Sequence, residues 1–208
     1  MKLTQWECLS TMETLNRLRQ VRLKGFGAPP VYAEAILSLE RAVSTDVLVP
    51  AQRYVRKADL ETVFALASLF REHGVDIFSL EGVLLFWLKR GGVEEGPVPL
   101  APPVVEESHE ADGRVMWLIN DGMHRVTAAR RLGRPVNILL ARGVPEKWPY
   151  YALPLPGGWR EVEERNTLPE GYQKKAYRQP QNYKALFRDF NAVFPGIQKQ
   201  RPFLPPPI

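Results

Sequence analysis

The segment from Val115 to Ala141 constrains the fold more than any other part of the chain. It holds two strand-like apolar runs, Val115–Ile119 and Val136–Ala141. Between them lie a tight Asp121-Gly122 turn and an alanine-rich stretch with helical spacing, Met123–Leu132, which Gly133 ends. A strand, a sharp turn, a helix and a second strand in this order predict a helix that packs back onto a sheet.

The surrounding sequence extends this unit into a small mixed sheet. Pro102–Val105 reads as a further strand, and Asp112-Gly113 is the turn signal of a β-hairpin that leads into Val115–Ile119. Leu80–Arg90 favours a very apolar helix, although a buried strand stays open because short apolar runs are ambiguous. The remaining predicted elements are helices over Thr11–Leu23, Val31–Val43, Asp59–Glu72 and Asn182–Phe194 and a short strand over Asp46–Pro50. The predicted fold class is α/β (α+β), a small mixed sheet with helices.

Composition places the chain among ordinary globular proteins. It has 208 residues, 45% of them hydrophobic and 25% charged, with a net charge of +5, which permits an anionic partner without requiring one. Cys8 is the only cysteine, so an intrachain disulfide is excluded and a reducing, cytoplasmic location is favoured. No apolar run reaches the length of a membrane span, so no membrane partner is expected.

The turn at Asp121-Gly122 has the features of an anion-binding site. Glycine permits a sharp bend and close approach of a ligand, and the first turn of a helix offers N–H groups and the positive end of its dipole. Arg125 adds a forked donor suited to phosphate, and His124 adds a donor or proton carrier. Asp121 is suited to capping the helix, orienting His124 or holding Mg²⁺. The alternative is that Asp121-Gly122 is only a helix cap.

Here the residues resemble the ParB/sulfiredoxin superfamily. The resemblance covers about residues 45–144 and centres on Asp121-Gly122-Met123-His124-Arg125, followed by Ala128-Ala129-Arg130-Arg131-Leu132-Gly133. Val49–Arg53 before a helix is similar to the first box of ParB N-terminal domains. The resemblance implies a ParB/sulfiredoxin-like core over 45–145 with a probable insertion at 74–97. The core follows an N-terminal helical extension over 1–44 and precedes a C-terminal extension over 146–208 with one helix and a proline-rich end.

The resemblance also implies a function. It predicts that Gly122, Met123, His124 and Arg125 hold the phosphates of ATP or CTP with Mg²⁺, in a nucleotide-dependent phosphotransferase or nucleotide hydrolase. Asp121 and His124 are the catalytic candidates and Asp121 the magnesium ligand, while Gln52 and Arg53 face the same pocket. Met123 stands where sulfiredoxins have a reactive cysteine, and a thioether lacks the nucleophilicity of a thiolate, which excludes sulfiredoxin chemistry.

A second function class stays open beside the first. The tail interleaves aromatic residues with the bases Lys174, Lys175, Arg178, Lys184 and Arg188, a pattern that suits nucleic acid. The alternative function is therefore a DNA-associated ParB-like module without catalytic activity, and self-association into a homo-oligomer also stays open. The purely structural alternative is that the tail helix packs its apolar face on the core. His73 and His109 lack metal-ligand spacing, so neither zinc nor haem is expected.

Overall fold

A five-stranded mixed sheet forms the centre of the protein. The structure is a computed structural model that describes residues 2–194, except the side chain of Arg90. The proline-rich end expected at 202–207 lies outside the described residues. In chain order the elements are β1 (Lys2–Cys8), α1 (Thr11–Arg19), β2 (Ile36–Val43), β3 (Leu48–Val49), β4 (Tyr54–Arg56), α2 (Lys57–Arg71), β5 (Leu84–Arg90), β6 (Val93–Leu100), β7 (Val104–His109), β8 (Val115–Asp121), α3 (Met123–Arg131), β9 (Val136–Arg142) and β10 (Glu163–Arg165).

The central sheet has the strand order β2-β9-β7-β8-β3. The β7–β9 and β3–β8 pairs are parallel, whereas β2–β9 and the β7–β8 hairpin are antiparallel. A second, antiparallel sheet has the order β1-β5-β6, and β4 and β10 form a short parallel pair. The α+β class predicted from the sequence is therefore confirmed.

Both faces of the central sheet are buried, and β9 shows this most clearly. Val136, Ile138 and Leu140 belong to the larger core, which also holds the apolar faces of α2, α3 and β5. Leu139 and Ala141, which point to the other face, belong to a core with α1 and Leu186. A strand covered on both sides carries a continuous apolar run, and this explains why β9 is apolar at nearly every position.

The predicted β7–β8 hairpin and the helix α3 that follows it are confirmed. The helices predicted over Thr11–Leu23 and Asp59–Glu72 are confirmed as α1 and α2. The helix predicted over Val31–Val43 is wrong. Residues 36–43 form β2 instead, and Leu37 and Leu39 pair with Ala141 and Leu139 of β9. The apolar residues of this segment fit the spacing of a helix or of a strand, and pairing with β9 at the edge of the sheet makes the segment a strand. The N-terminal part of the chain shares sheets with the later part, through β1 with β5 and β2 with β9.

Two further predictions concern the apolar run at 80–90 and the tail. For the apolar run at 80–90 the strand alternative is confirmed, because the run contains β5, which lies between β1 and β6. The helix over Asn182–Phe194 is wrong, because only two short 3-10 turns, Tyr183–Leu186 and Phe190–Ala192, form there. Between them the backbone pairs with residues 22–24 through Lys24 N–H to Phe187 O (2.9 Å) and Asp189 N–H to Arg22 O (2.8 Å). These bonds hold the chain extended and turn Arg188 inward. Among residues 2–194, no helix combines the length and apolar character that a membrane span needs.

Candidate functional site

The turn between β8 and α3 is a left-handed glycine at the start of a helix. Gly122 is the N-cap of α3 with φ 87°, and its carbonyl accepts from the N–H groups of Arg125 (2.9 Å) and Val126 (3.1 Å). A Cβ at this position would lie 2.9 Å from Pro103 Cα and 2.9 Å from Arg125 Nη2. Glycine is therefore required twice, for its backbone conformation and for space. Asp121 precedes the N-cap and contacts Arg125, so it does not cap the helix.

A pocket of about 470 Å³ opens at this turn, where the starts of α2 and α3 and the end of β6 meet. Residues Asn120–Arg125 line it, and the sequence predicted Asp121–Arg125 of these as candidates. The other lining residues are Gln52, Asp59, Thr62, Val63, Pro99, Leu100, Ile119 and Lys175. The pocket thus combines a helix start and several polar side chains with apolar residues such as Val63 and Ile119.

Arg125 is the most unusual side chain of this pocket. It is only 8% exposed, and within residues 2–194 its side chain makes one hydrogen bond, from Nη2 to Asp121 Oδ2 at 3.5 Å, the outer limit of a hydrogen bond. Burial lowers the pKa of Arg125, and the charge of Asp121 opposes this shift. A guanidinium has five N–H donors, so most of its hydrogen-bonding capacity is not used by this contact.

His124 lies between two groups at the start of α2. Its Nε2 is 3.3 Å from the backbone N of Arg56 and 3.4 Å from Asp59 Oδ2. An unprotonated Nε2 accepts the Arg56 N–H, whereas a protonated Nε2 donates to Asp59. Arg56 also holds the Asp59 carboxylate through two bonds of 2.9 and 3.0 Å. The carboxylate at His124 Nε2 is thus Asp59, and Asp121 contacts Arg125.

Asn120 and Asp121 separate this pocket from a neighbouring one of about 390 Å³. The Asn120 amide donates to Tyr32 Oη (2.9 Å) and Glu106 Oε1 (2.5 Å), both in a buried network. Its Nδ2 must face inward because a carboxylate only accepts hydrogen bonds. The Asp121 carboxylate is 55% exposed and lines both pockets. Within residues 2–194, no cluster of three or more His, Cys, Asp or Glu side chains suited to a metal ion is found.

The model of the ParB CE domain matches residues 13–163, which include the central sheet, α2, α3 and every lining residue of the pocket except Lys175. The chain belongs to the ParB CE domain family. This confirms the ParB-like resemblance of the sequence. A comparison with curated proteins gives no significant match.

The other residues predicted for the site of this ParB CE domain have different positions. Gln52 lines the pocket, and its Nε2 donates to Tyr54 O at 2.6 Å. Arg53 is not among the lining residues, and its Nε is buried without a hydrogen-bond partner in the described part of the chain. Met123 is 9% exposed and packs in the larger core while also lining the pocket.

The basic residues of the tail do not form one cationic surface. The Arg188 side chain is fully buried against Glu106, and Arg178 binds Glu110 (2.5 Å) and Ser108 Oγ (3.2 Å). Lys175 faces the pocket, where it contacts two tyrosine hydroxyls. Lys174 and Lys184 are exposed. Arg178 and Arg188 thus pair with buried carboxylates. A pattern of alternating basic and aromatic residues in the sequence does not predict this role.

Sequence reasoning missed Asp59, Thr62, Asn120 and Lys175 as pocket residues. Asp59 and Thr62 lie one turn apart on the first part of α2, so their shared helical face was the available signal. Asn120 stands directly before the predicted motif, and its polar side chain at the end of an apolar strand was a second signal. Lys175 had none, because only the folded tail brings it to the pocket.

Proposed function

We propose that this ParB CE domain binds the phosphate groups of a nucleotide, ATP or CTP with Mg²⁺, in the pocket at the start of α3. The observation that carries the proposal is Arg125, a nearly buried guanidinium that lines the pocket and has, within residues 2–194, a single weak carboxylate contact. Burying a charge without full pairing is unfavourable for folding alone. An anion in the pocket accounts for that arrangement, and the α3 start supplies N–H groups and dipole to the same place.

Asp121 suits a magnesium ion beside the phosphates. Its carboxylate is half exposed at the edge of the pocket and is held only weakly by Arg125. Mg²⁺ binds through one or two carboxylates together with phosphate oxygens and water, so a single protein carboxylate is enough. In this proposal Asp121 positions the ion against the phosphates that Arg125 grips.

His124 is the candidate proton carrier for a nucleotide hydrolase or phosphotransferase. With its own proton on Nε2 beside Asp59, at 3.4 Å, neutral His124 takes the proton of an attacking water or hydroxyl on Nδ1, and Asp59 stabilises the resulting imidazolium. The phosphoryl group then passes to that oxygen, and the remaining nucleotide leaves with its bridging oxygen. Phosphoryl transfer relies mainly on positioning and charge stabilisation, so this small set of residues supplies the types of group that the reaction needs.

The DNA-associated alternative has weaker support from the tail. Two of its five basic residues, Arg178 and Arg188, are paired with carboxylates, and Lys175 faces the pocket. Exposed Lys174 and Lys184 and the net charge of +5 are what favour it. A DNA mobility-shift assay at two salt concentrations separates the alternatives. Salt-sensitive DNA binding without nucleotide binding favours the DNA module.

Calorimetric titration of ATP, CTP and ADP with Mg²⁺ tests the nucleotide proposal. The variants are Arg125→Ala, which removes the guanidinium, and Arg125→Lys, which keeps a charge but not the fork. We expect Arg125→Ala to weaken binding by roughly ten- to a hundredfold, since a hydrogen bond to a charged group contributes about 1.5–3 kcal/mol. We expect Arg125→Lys to restore little of that loss.

Arg114→Ala is the matched control for this titration. Arg114 lies at the exposed tip of the β7–β8 hairpin, where it pairs with the Asp112 carboxylate. The control should bind nucleotide like the wild type. The proposal is wrong if the wild type binds none of the three nucleotides, or if Arg125→Ala binds them as well as Arg114→Ala does.

A further inference from the structure

Lys175 brings a second cation to the pocket from a distant part of the chain. It lies outside the residues matched by the ParB CE domain, yet it lines the same pocket as Asp121–Arg125. Its ammonium donates to Tyr150 Oη at 2.9 Å and Tyr151 Oη at 2.6 Å, and it lies 4.6 Å from the centre of the Tyr151 ring. The side chain is therefore ordered beside the pocket rather than extended into solvent.

The backbone on both sides of Lys175 is fixed to the core. The carbonyl of Lys174 accepts from Arg53 N–H at 3.0 Å, and the carbonyl of Ala176 accepts from Leu153 N–H at 2.8 Å. These two bonds clamp the segment directly before and after Lys175. A segment without helix or strand is thus held in place where its lysine reaches the pocket, and the lysine position is part of the fold.

The partners of Lys175 do not neutralise it. Both are phenol hydroxyls, which carry no charge at neutral pH. Burial raises the pKa of Tyr150 well above its ordinary value, and Tyr151 reinforces the shift, so Tyr150 stays a neutral phenol. Arg178, from the same segment, is instead paired with the Glu110 carboxylate at 2.5 Å. Ordering a lysine costs side-chain entropy, which two neutral partners offset only in part.

We infer that Lys175 binds the phosphate chain of the ligand together with Arg125, and that the site prefers ligands with two or more linked phosphates over a single phosphate. This inference rests on the proposed phosphate site at the start of α3. Arg125 lies in α3 and contacts Asp121, whereas Lys175 comes from the tail and is held by Tyr150 and Tyr151, so the two cations that line the pocket come from separate elements. Two separate positive groups in one cavity of about 470 Å³ match a chain of charges better than one compact anion.

The test compares inorganic pyrophosphate with orthophosphate by calorimetric titration of the full chain. Lys175→Met and Lys175→Gln both remove the charge, and Gln keeps a donor for the tyrosine hydroxyls. We expect either variant to weaken pyrophosphate binding about tenfold and orthophosphate binding less than about twofold. Lys174→Met is the matched control, because the adjacent lysine is exposed, and it should bind both anions like the wild type. Thermal unfolding of all variants checks that the fold is kept.

The outcomes separate this inference from the proposed function. If Arg125→Ala loses pyrophosphate binding while both Lys175 variants bind it like Lys174→Met, the role of Lys175 is wrong and the phosphate site stands. If the Lys175 variants lose orthophosphate and pyrophosphate equally, the preference for linked phosphates is wrong. If the wild type binds neither anion nor any nucleotide, the phosphate site itself is wrong.

Discussion

Two buried arginines of this protein have opposite surroundings. Arg188 has a fully buried side chain and donates to both oxygens of Glu106 at 2.8 Å. Its remaining N–H groups reach the carbonyls of Trp148 (2.9 Å), Pro149 (3.0 Å) and Leu186 (2.7 Å). Arg125 is nearly as buried, but in the described part of the chain its partner is one oxygen of Asp121 at 3.5 Å.

The pKa of each guanidinium follows from these partners. Burial by itself lowers the pKa of Arg188, but the charge and hydrogen bonds of Glu106, together with those of Tyr32, outweigh burial and the pKa is raised. For Arg125 burial dominates and the pKa is lowered, with Asp121 opposing it. Arg188 is thus satisfied within the fold, and it ties the tail to the central sheet. Arg125 keeps unused donors toward a pocket, which is the condition expected of a residue that serves a ligand.

The largest effect is expected from Arg188→Met. Removing the guanidinium leaves the Glu106 carboxylate buried without its counter-charge, a change that costs about 3–5 kcal/mol in the free energy of unfolding. Urea unfolding measures it. The double variant Glu106→Gln, Arg188→Met should be more stable than Arg188→Met alone, because it removes both charges. A loss below about 1 kcal/mol in the single variant would remove the contrast between the two arginines.

A smaller loss is expected from Gly122→Ala. The left-handed backbone disfavours a side chain, and the new Cβ would clash with the Pro103 backbone and Arg125 Nη2. We expect the free energy of unfolding to fall by about 1–3 kcal/mol, together with weaker nucleotide binding. Gly113→Ala is the matched control, since it has a similar φ of 83° but open space around it. Equal losses in both variants would show that backbone strain alone, and not the crowding at Arg125, explains the effect.

The smallest effect on stability is expected from Asp121→Asn. The carboxylate is half exposed and its contact with Arg125 is long, so the free energy of unfolding should change by less than about 1 kcal/mol. Nucleotide binding should lose its dependence on Mg²⁺, which titrations with and without the ion measure. A large stability loss would mean that Asp121 satisfies Arg125 after all.

The sequence predicted those parts of the fold that local signals specify. The Asp-Gly turns at 112–113 and 121–122, the alanine-rich helix and the apolar run of β9 each carry their own signal, and each has the predicted structure. The regions 31–43 and 182–194 were misread because their apolar residues suit a helix as well as a strand or turn. Pairing with β9 in the first case and with residues 22–24 in the second decides the outcome, and neither partner is visible locally.

The candidate site shows the same limit. Residues 121–125 are contiguous, so their shared position at a helix start was predictable from spacing. Asp59 and Lys175 come from positions far away in the sequence, and only the packing of α2 and the tail brings them to the pocket. Arg188 was grouped with candidate nucleic-acid contacts because its partner Glu106 is more than eighty residues away. Long-range charge pairing is therefore the information that the single sequence lacked.

The most direct test of the central claim is urea unfolding of the wild type and Arg125→Met, each with and without a saturating nucleotide and Mg²⁺. If Arg125 serves the ligand, the two proteins have the same free energy of unfolding without nucleotide, to within about 0.5 kcal/mol, or the variant is slightly more stable. Nucleotide at a hundred times its dissociation constant should then stabilise the wild type by about 2.7 kcal/mol and the variant far less. A variant that is several kcal/mol less stable without nucleotide, yet gains as much from nucleotide as the wild type does, would contradict the claim and place Arg125 beside Arg188 as a structural residue.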